Sequence, residues 1–201
     1  MGNTELKGYA GIGESSQLAT IYGVDNAKKT LLAGFTTVRD VGTGHFSDVA
    51  LKEAINKNVV IGPTMFVSGP ALGITGGHCD SNLLSHEYDH QSEGVVNSPW
   101  EARKQVRKNR KYGADLIKFC ATGGVLSKNT DLNAKQFTLE EMQAIVDEAH
   151  NHGMKVAAHA HGLEGIRTAI IAGVDSIEHA SFIDDATIEL AKERGTRLAM
   201  D

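Results

Sequence analysis

Cysteine and proline are scarce in this chain of 201 residues, and each shortage narrows what it can be. There are two cysteines, Cys79 and Cys120, and three prolines. Two cysteines make no disulfide framework of the kind that staples small secreted domains, and this suits a reducing, cytoplasmic setting. No apolar run is long enough to cross a bilayer, so no membrane span is expected. The opening Met1-Gly2-Asn3-Thr4-Glu5-Leu6 lacks the basic and apolar regions of a secretory leader, and puts Leu6 where a myristoylation signal wants Ser or Thr. Basic charge is in deficit: 20 Lys and Arg against 25 Asp and Glu leave a formal net charge of −5. That balance argues against nucleic acid as a partner, because neutralising phosphates needs a basic surface. A hydrophobic fraction of 41% is ordinary for a globular domain able to bury a core.

Glycine is abundant, with 22 residues, and it recurs at fixed places. An amphipathic run, a glycine and a short apolar run repeat along the chain. The copies are Lys28–Ala33, Gly34, Phe35–Val38; Arg107–Tyr112, Gly113, Ala114–Phe119; and Ile145–His152, Gly153, Met154–Ala158. Two more follow: Ile166–Ala172, Gly173, Val174–Ile177; and Ile188–Arg194, Gly195, Thr196–Met200. Each glycine sits where a helix ends in the left-handed conformation. A further strand, Thr64–Ser68, follows the helical stretch Asp48–Asn56 through Ile61-Gly62-Pro63. Thr138 with Glu140 and Glu141, and Ser98-Pro99, mark helix starts. Strands alternating with helices predict an α/β fold with a parallel sheet, either open and doubly wound or a closed barrel. About six strands are legible.

Polar residues end four of these strands. They are Arg39-Asp40, Lys118, His159-Ala160-His161, and Glu178-His179. Lys118 lies five residues after its repeat glycine, and His159 and His179 lie six after theirs. Equivalent positions on successive parallel strands are neighbours at the carboxyl edge, where ligands bind in both architectures. His159 and His161, two apart, point to the same side of a strand. Neutral imidazoles from adjacent strands suit a divalent transition metal. A lone histidine at a strand end is more often a hydrogen-bonded structural residue; three histidines and a lysine at matching positions favour a site. Lys118, between Ile117 and Phe119, must be paired, deprotonated or modified if buried. Sequence physics favours a salt bridge there, and carboxylation of the amine is the alternative.

Taken together, Ala33-Gly34-Phe35-Thr36-Thr37-Val38-Arg39-Asp40-Val41-Gly42, Gly76-Gly77-His78-Cys79-Asp80, Ile117-Lys118, His159-Ala160-His161-Gly162 and Ile177-Glu178-His179 resemble the amidohydrolase superfamily. Within it the chain is similar to the imidazolonepropionase-like group, with its prolidase-type dipeptidases and ochratoxinase-like members, over roughly residues 20–201. The resemblance implies a TIM (β/α)8 barrel, here an incomplete one of about strands 2 to 7. It implies two divalent metal ions, zinc as a rule, bridged by a carboxylated Lys118, with His159 and His179 as further ligands. His161 then lies beside the metal as a catalytic, substrate-contacting residue, and His78 reaches the scissile carbonyl. Gly123 and Gly124 bring backbone amides to a substrate carboxylate, and Arg39 with Asp40 forms a structural pair below the site.

The activity implied is cleavage of an amide C–N bond by a metal-bridging hydroxide. Its substrate is a small molecule, a dipeptide or N-acyl amino acid with a free carboxylate, and a homo-oligomer is compatible with it. The family's first-strand His-x-His pair has no counterpart before Gly34, and the segment Met1–Ser16 carries Gly8, Gly11 and Gly13 instead. The eighth-strand aspartate is expected beyond Asp201, itself at the end of the seventh strand. Residues 1–201 thus read as the central part of a barrel domain without its first and eighth strands or its small flanking β domain, and weak activity or none is expected of them alone. A deaminase or cyclic-amide hydrolase of the same superfamily, a non-catalytic fragment and a nucleotide binder are the rival readings. For the last, Val41-Gly42-Thr43-Gly44 is too short a phosphate loop. The loop Leu83–Asn97, with His86 and His90 solvent-exposed, is expected to cover the site mouth.

Overall fold

The five glycines expected at helix ends, Gly34, Gly113, Gly153, Gly173 and Gly195, all take positive φ, from 71° to 99°. At these angles a Cβ is strained, so glycine ends each helix and turns the chain into the next strand. The computed structural model describes residues 13–200; Gly8, Gly11 and Asp201 fall outside the described residues. Helix α1 (Ser16–Leu32) leads to strand β1 (Thr37–Asp40), then α2 (Ser47–Asn56) and β2 (Thr64–Val67). After a long loop come α3 (Pro99–Lys111), β3 (Leu116–Cys120), α4 (Leu139–Asn151) and β4 (Lys155–Ala160). The last elements are α5 (Leu163–Ala172), β5 (Ser176–His179), α6 (Asp185–Arg194) and β6 (Arg197–Ala199). The expected helix starts are present. Thr138 and Glu141 form a reciprocal capping box, and the Ser98 hydroxyl accepts from Glu101 N ahead of Pro99.

All strand pairs are parallel, in the orders β1-β2 and β3-β4-β5-β6. The two sheets meet where Asp115 N donates to Val67 O, and where Leu72 N donates to Lys118 O at 2.8 Å while Cys120 N donates to Leu72 O at 2.9 Å. The sheet curls. Arg39 on β1 reaches Glu178 on β5 at 3.0 Å, although four strand spacings laid flat would separate them by about 19 Å. Curvature of that degree makes the concave face the interior of a barrel.

Period-two alternation then sorts the side chains. Ile117, Phe119, Ala121, Val156, Ala158, Ala160 and Ile177 belong to the large core cluster beneath the helices. Lys118, Cys120, His159 and Glu178 alternate with them and face the interior. Fully buried Ile145, Ile166 and Ile170 from α4 and α5 complete that core, each stabilising by roughly 1.5–3 kcal/mol. The polar groups of these strands are therefore gathered on the inner face.

The expectation of unpaired cysteines is corrected. Cys79 and Cys120 are joined as a disulfide, with Cα atoms 5.9 Å apart across 41 residues of sequence. The pair is brought together because the loop after β2 folds back over the end of β3, which spacing alone does not reveal. The argument for a reducing, cytoplasmic setting loses this premise.

Between α3 and α4, the buried Glu148 accepts from Arg107 Nε at 2.7 Å, Arg103 Nη1 at 3.3 Å and His152 Nε2 at 3.1 Å. The Arg107 hydrogen bond, foremost, holds its pKa down to about 2 from 4.5. A depressed carboxylate stabilises the fold above its unfolded pKa and loses that contribution as pH falls through the folded one. The melting-temperature gap between wild type and Glu148→Gln is therefore expected to close as pH drops from about 4.5 toward 2. Calorimetry across that range checks it, and a gap independent of pH would rule the clamp out.

Candidate active site

At the carboxyl ends of the strands lies a cavity of about 340 Å³, lined by His78, Lys118, His159, Cys79, Cys120 and Glu93 among others. Lys118, His159 and His78 thus share one space. The ligand nitrogens of His159, His161 and His179 all lie within 4.8 Å of one another. The His78 ring stacks on His159 at 4.2 Å, and the His161 ring stacks on His179 at 4.8 Å.

How His179 joins the group is not what equal counting from the glycines implies. The register pairs Cys120 with His159 and His159 with Glu178, while His179 lies opposite Ala160. Lys118 therefore sits two residues below the level of His159, an offset its long side chain can span. By alternation His179 would face the helices with Ala160. Instead it leaves the strand with φ 76°, followed by Ala180 at 53°. The left-handed turn swings its ring to within 4.9 Å of His159. Such a conformation in a non-glycine residue is costly and tends to persist where function needs it.

Burial decides the protonation states. The His159 pKa is pushed down to about 3, foremost by desolvation, with the positive charges of His78, Lys118 and His161 adding to the effect. His159 Nε2 donates to Gly123 O at 3.1 Å, which places the proton on that nitrogen and leaves Nδ1 with its lone pair. His78 is also shifted toward neutrality, mainly by burial and then by Lys118. Its Nδ1 is held by Ser127 Oγ at 2.9 Å, and His161 Nδ1 by Ser181 Oγ at 2.8 Å. Neutral imidazoles with one nitrogen anchored are the form that binds metal.

The salt bridge favoured for Lys118 is not formed. Among the described residues no carboxylate lies within ion-pair distance, and the amine's hydrogen bond goes to Val41 O at 3.5 Å. Burial lowers its pKa to about 8 from 10.5; Glu178 opposes this shift and Arg39 favours it. Glu178 is occupied elsewhere. Arg39 grips it through Nη1 at 3.1 Å and Nη2 at 3.0 Å, and Ser176 Oγ donates to it at 2.6 Å. Arg39 is thus paired across the barrel with Glu178 instead of with Asp40, whose Oδ1 accepts from Thr43. The pairing of Glu178 with Arg39, the roles of Ser127 and Ser181, and the cysteine bridge escaped the sequence reading. For the cysteines a signal existed, since each lies within two residues of a candidate site residue.

Gly123 and Gly124 have a different reason to be glycine from the one expected. Their amides are engaged within the chain, with Ala134 O and Thr130 Oγ1 at 3.3 Å each. A Cβ on Gly124 would overlap the His78 ring, and one on Gly123 the backbone of Asp131. Glycine is needed here for close packing around His78. In the Leu83–Asn97 loop His86 and His90 are exposed, as expected, while Ser92, Glu93 and Gly94 reach the cavity wall.

The amidohydrolase family model matches residues 4–201, nearly the whole chain. This chain belongs to the amidohydrolase family. Ochratoxinase from Aspergillus niger is 38% identical over 182 residues, covering 83% of this chain and 37% of that protein. Among solved structures, a Xaa-Pro dipeptidase with bound methionine in its active site superposes with a TM-score of 0.88 at 41% identity, over 96% of this chain and 49% of that one. A prolidase complexed with N-methylphosphonate-L-proline gives 0.82 at 34% identity, over 92% and 47%. The chain thus spans about half the length of these solved amidohydrolases, and the six parallel strands of its described residues are part of the family's TIM barrel.

Proposed function

We propose that this amidohydrolase chain carries the metal-binding half of a site that hydrolyses an amide C–N bond in a dipeptide or N-acyl amino acid with a free carboxylate. The observation that carries the reading is the meeting of His159, His161 and His179 beside a buried lysine that has no carboxylate within ion-pair distance among the described residues. The donor set fits a divalent ion: nitrogen ligands at mutual distances within 4.8 Å suit zinc, and an anionic group on Lys118 would balance its charge. Lys118, His159 and His179 would hold two such ions. Lys118 would do so after its amine adds carbon dioxide, giving a carbamate and releasing one proton. Bound metal supplies Lewis acidity and lowers the pKa of water toward 7.

The chain's own residues do the rest. His78, anchored through Nδ1, is left with Nε2 to donate to a substrate carbonyl oxygen. His161, anchored on Ser181, contacts the substrate beside the metal ligands. Glu93 and Gly94 narrow the mouth on the loop side.

The test combines metal analysis with a substrate panel. Zinc retained after gel filtration is measured on wild type and His159→Ala, and dipeptides, N-acyl amino acids and ring amidines are assayed for turnover. Zinc should be retained by wild type and lost by the variant, and amide cleavage should exceed deamination. Retention unaffected by His159→Ala, or turnover of ring amidines only, would overturn the reading.

A further inference from the structure

Cys79 and Cys120 flank the site from two separate elements. Cys79 follows His78 in the loop after β2; Cys120 ends β3 two residues past Lys118 and is the register partner of His159. Their bond is a covalent tie between the His78 loop and the sheet. The loop's polar ties run to other loops: His78 N donates to Gln136 Oε1 at 2.9 Å, Thr75 N to Asn97 Oδ1 at 3.1 Å, and Asn82 Nδ2 to Lys128 O at 3.2 Å. Packing reinforces the tie, because a Cβ on Gly73 would lie 2.7 Å from that of Cys79. The bridge therefore rests on the stretch of backbone that hydrogen-bonds into β3.

We propose that the Cys79–Cys120 disulfide is a redox-sensitive clamp that positions His78 over the site, and that reducing it releases the loop and the stack of His78 on His159. The proposal rests on the reading of His78 and Lys118 as site residues. Both cysteines line the cavity. Cys120 is buried at 3% exposure whereas Cys79 is only partly buried, so an incoming thiolate meets the Cys79 sulfur. A dithiol such as dithiothreitol supplies the two electrons and two protons. The Sγ–Sγ bond breaks, both cysteines become thiols, and the reductant closes to a cyclic disulfide. Cys79 and Cys120 are positioning residues, acting through His78.

The test counts thiols and measures loop order in the same protein. Iodoacetamide is applied in denaturant with and without prior dithiothreitol, and adducts are counted by mass spectrometry. Hydrogen exchange then follows residues 74–82 in native, zinc-loaded protein after the reductant is removed. We expect no adduct before reduction and one on each cysteine after it. Exchange in 74–82 should be about tenfold faster once reduced, with α4 and α5 unchanged. The variant Cys79→Ala/Cys120→Ala should match the reduced form under both conditions. Adducts on both cysteines without reductant, or equal exchange in the two states, overturn the clamp. Zinc content of the same samples separates this from the hydrolase reading. Redox-dependent exchange without retained zinc supports the clamp and overturns the metal site; retained zinc with redox-independent exchange overturns the clamp alone.

Discussion

Lys118→Met should lose metal without losing stability. Lys118 is 6% exposed, and among the described residues its amine has only the carbonyl of Val41 at hydrogen-bond distance. An ammonium in that position opposes folding. Methionine keeps the length and volume of the side chain and removes the charge. The pH dependence gives the sign. Burial lowers the folded pKa to about 8 from 10.5, so the unfolded chain binds more protons between those values and wild-type stability rises across them. Lys118→Met should lack that rise and should melt no lower than wild type at pH 7. Its zinc affinity should fall by more than the roughly 10–100-fold typical of losing a residue that merely supports a ligand. Equilibrium dialysis and thermal melts on one preparation check both halves. A variant that binds zinc normally, or that unfolds at pH 7, would show that Lys118 has a structural role instead.

Arg39→Ala carries the largest expected cost in stability. Glu178 has a side chain only 11% exposed and depends on a two-pronged grip from Arg39, itself 41% exposed. Removing one partner of a buried pair costs about 3–5 kcal/mol, and water reaching the vacated guanidinium position lowers the figure to about 2–3 kcal/mol. Arg39→Met/Glu178→Gln should recover most of the loss, since neither residue then leaves a buried charge unmatched. Denaturant melts of wild type, Arg39→Met, Glu178→Gln and the double variant close a cycle that measures the coupling directly. A cost below about 0.5 kcal/mol for Arg39→Ala would mean that the pair does not hold the two sides of the barrel together.

The parts of this molecule that were legible in its sequence are those set by local physics. Gly34, Gly113, Gly153, Gly173 and Gly195 mark helix ends because only a residue without Cβ takes their φ cheaply. Thr138 and Ser98 announce helix starts because their side chains satisfy free amides. The spacing from glycine to polar strand end brought out the residues that meet at the cavity. Register and chirality were not legible. Counting from the glycines put His159 and His179 at one level and Lys118 one residue short of it, yet the register sets His179 opposite Ala160 and Lys118 opposite Ala157. The entry of His179 depends on a left-handed backbone angle that no periodicity encodes. The pairing of Arg39 with Glu178 follows from curvature of the sheet, a property of the whole barrel, and the nearer Asp40 was the natural guess. Cys79 and Cys120 meet only because a long loop returns over β3.

Gly124 shows how one residue can be noticed for the wrong reason. Its place after a strand end suggested an open amide, whereas the fold uses its missing side chain to seat the His78 ring. Both readings predict that Gly124→Ala harms function. They differ in mechanism, since in the structure the harm comes from displacing His78.

Anomalous X-ray diffraction at the zinc edge, from zinc-supplemented crystals, is the measurement that decides whether a carboxylated Lys118 and the imidazoles of His159 and His179 serve one metal centre. The expected result is an anomalous peak about 2.0–2.1 Å from nitrogens of His159 and His179, with density for a carboxylate extending from Lys118 Nζ toward it. Zinc found only at exposed histidines such as His86 and His90, with a bare amine at Lys118, would contradict it.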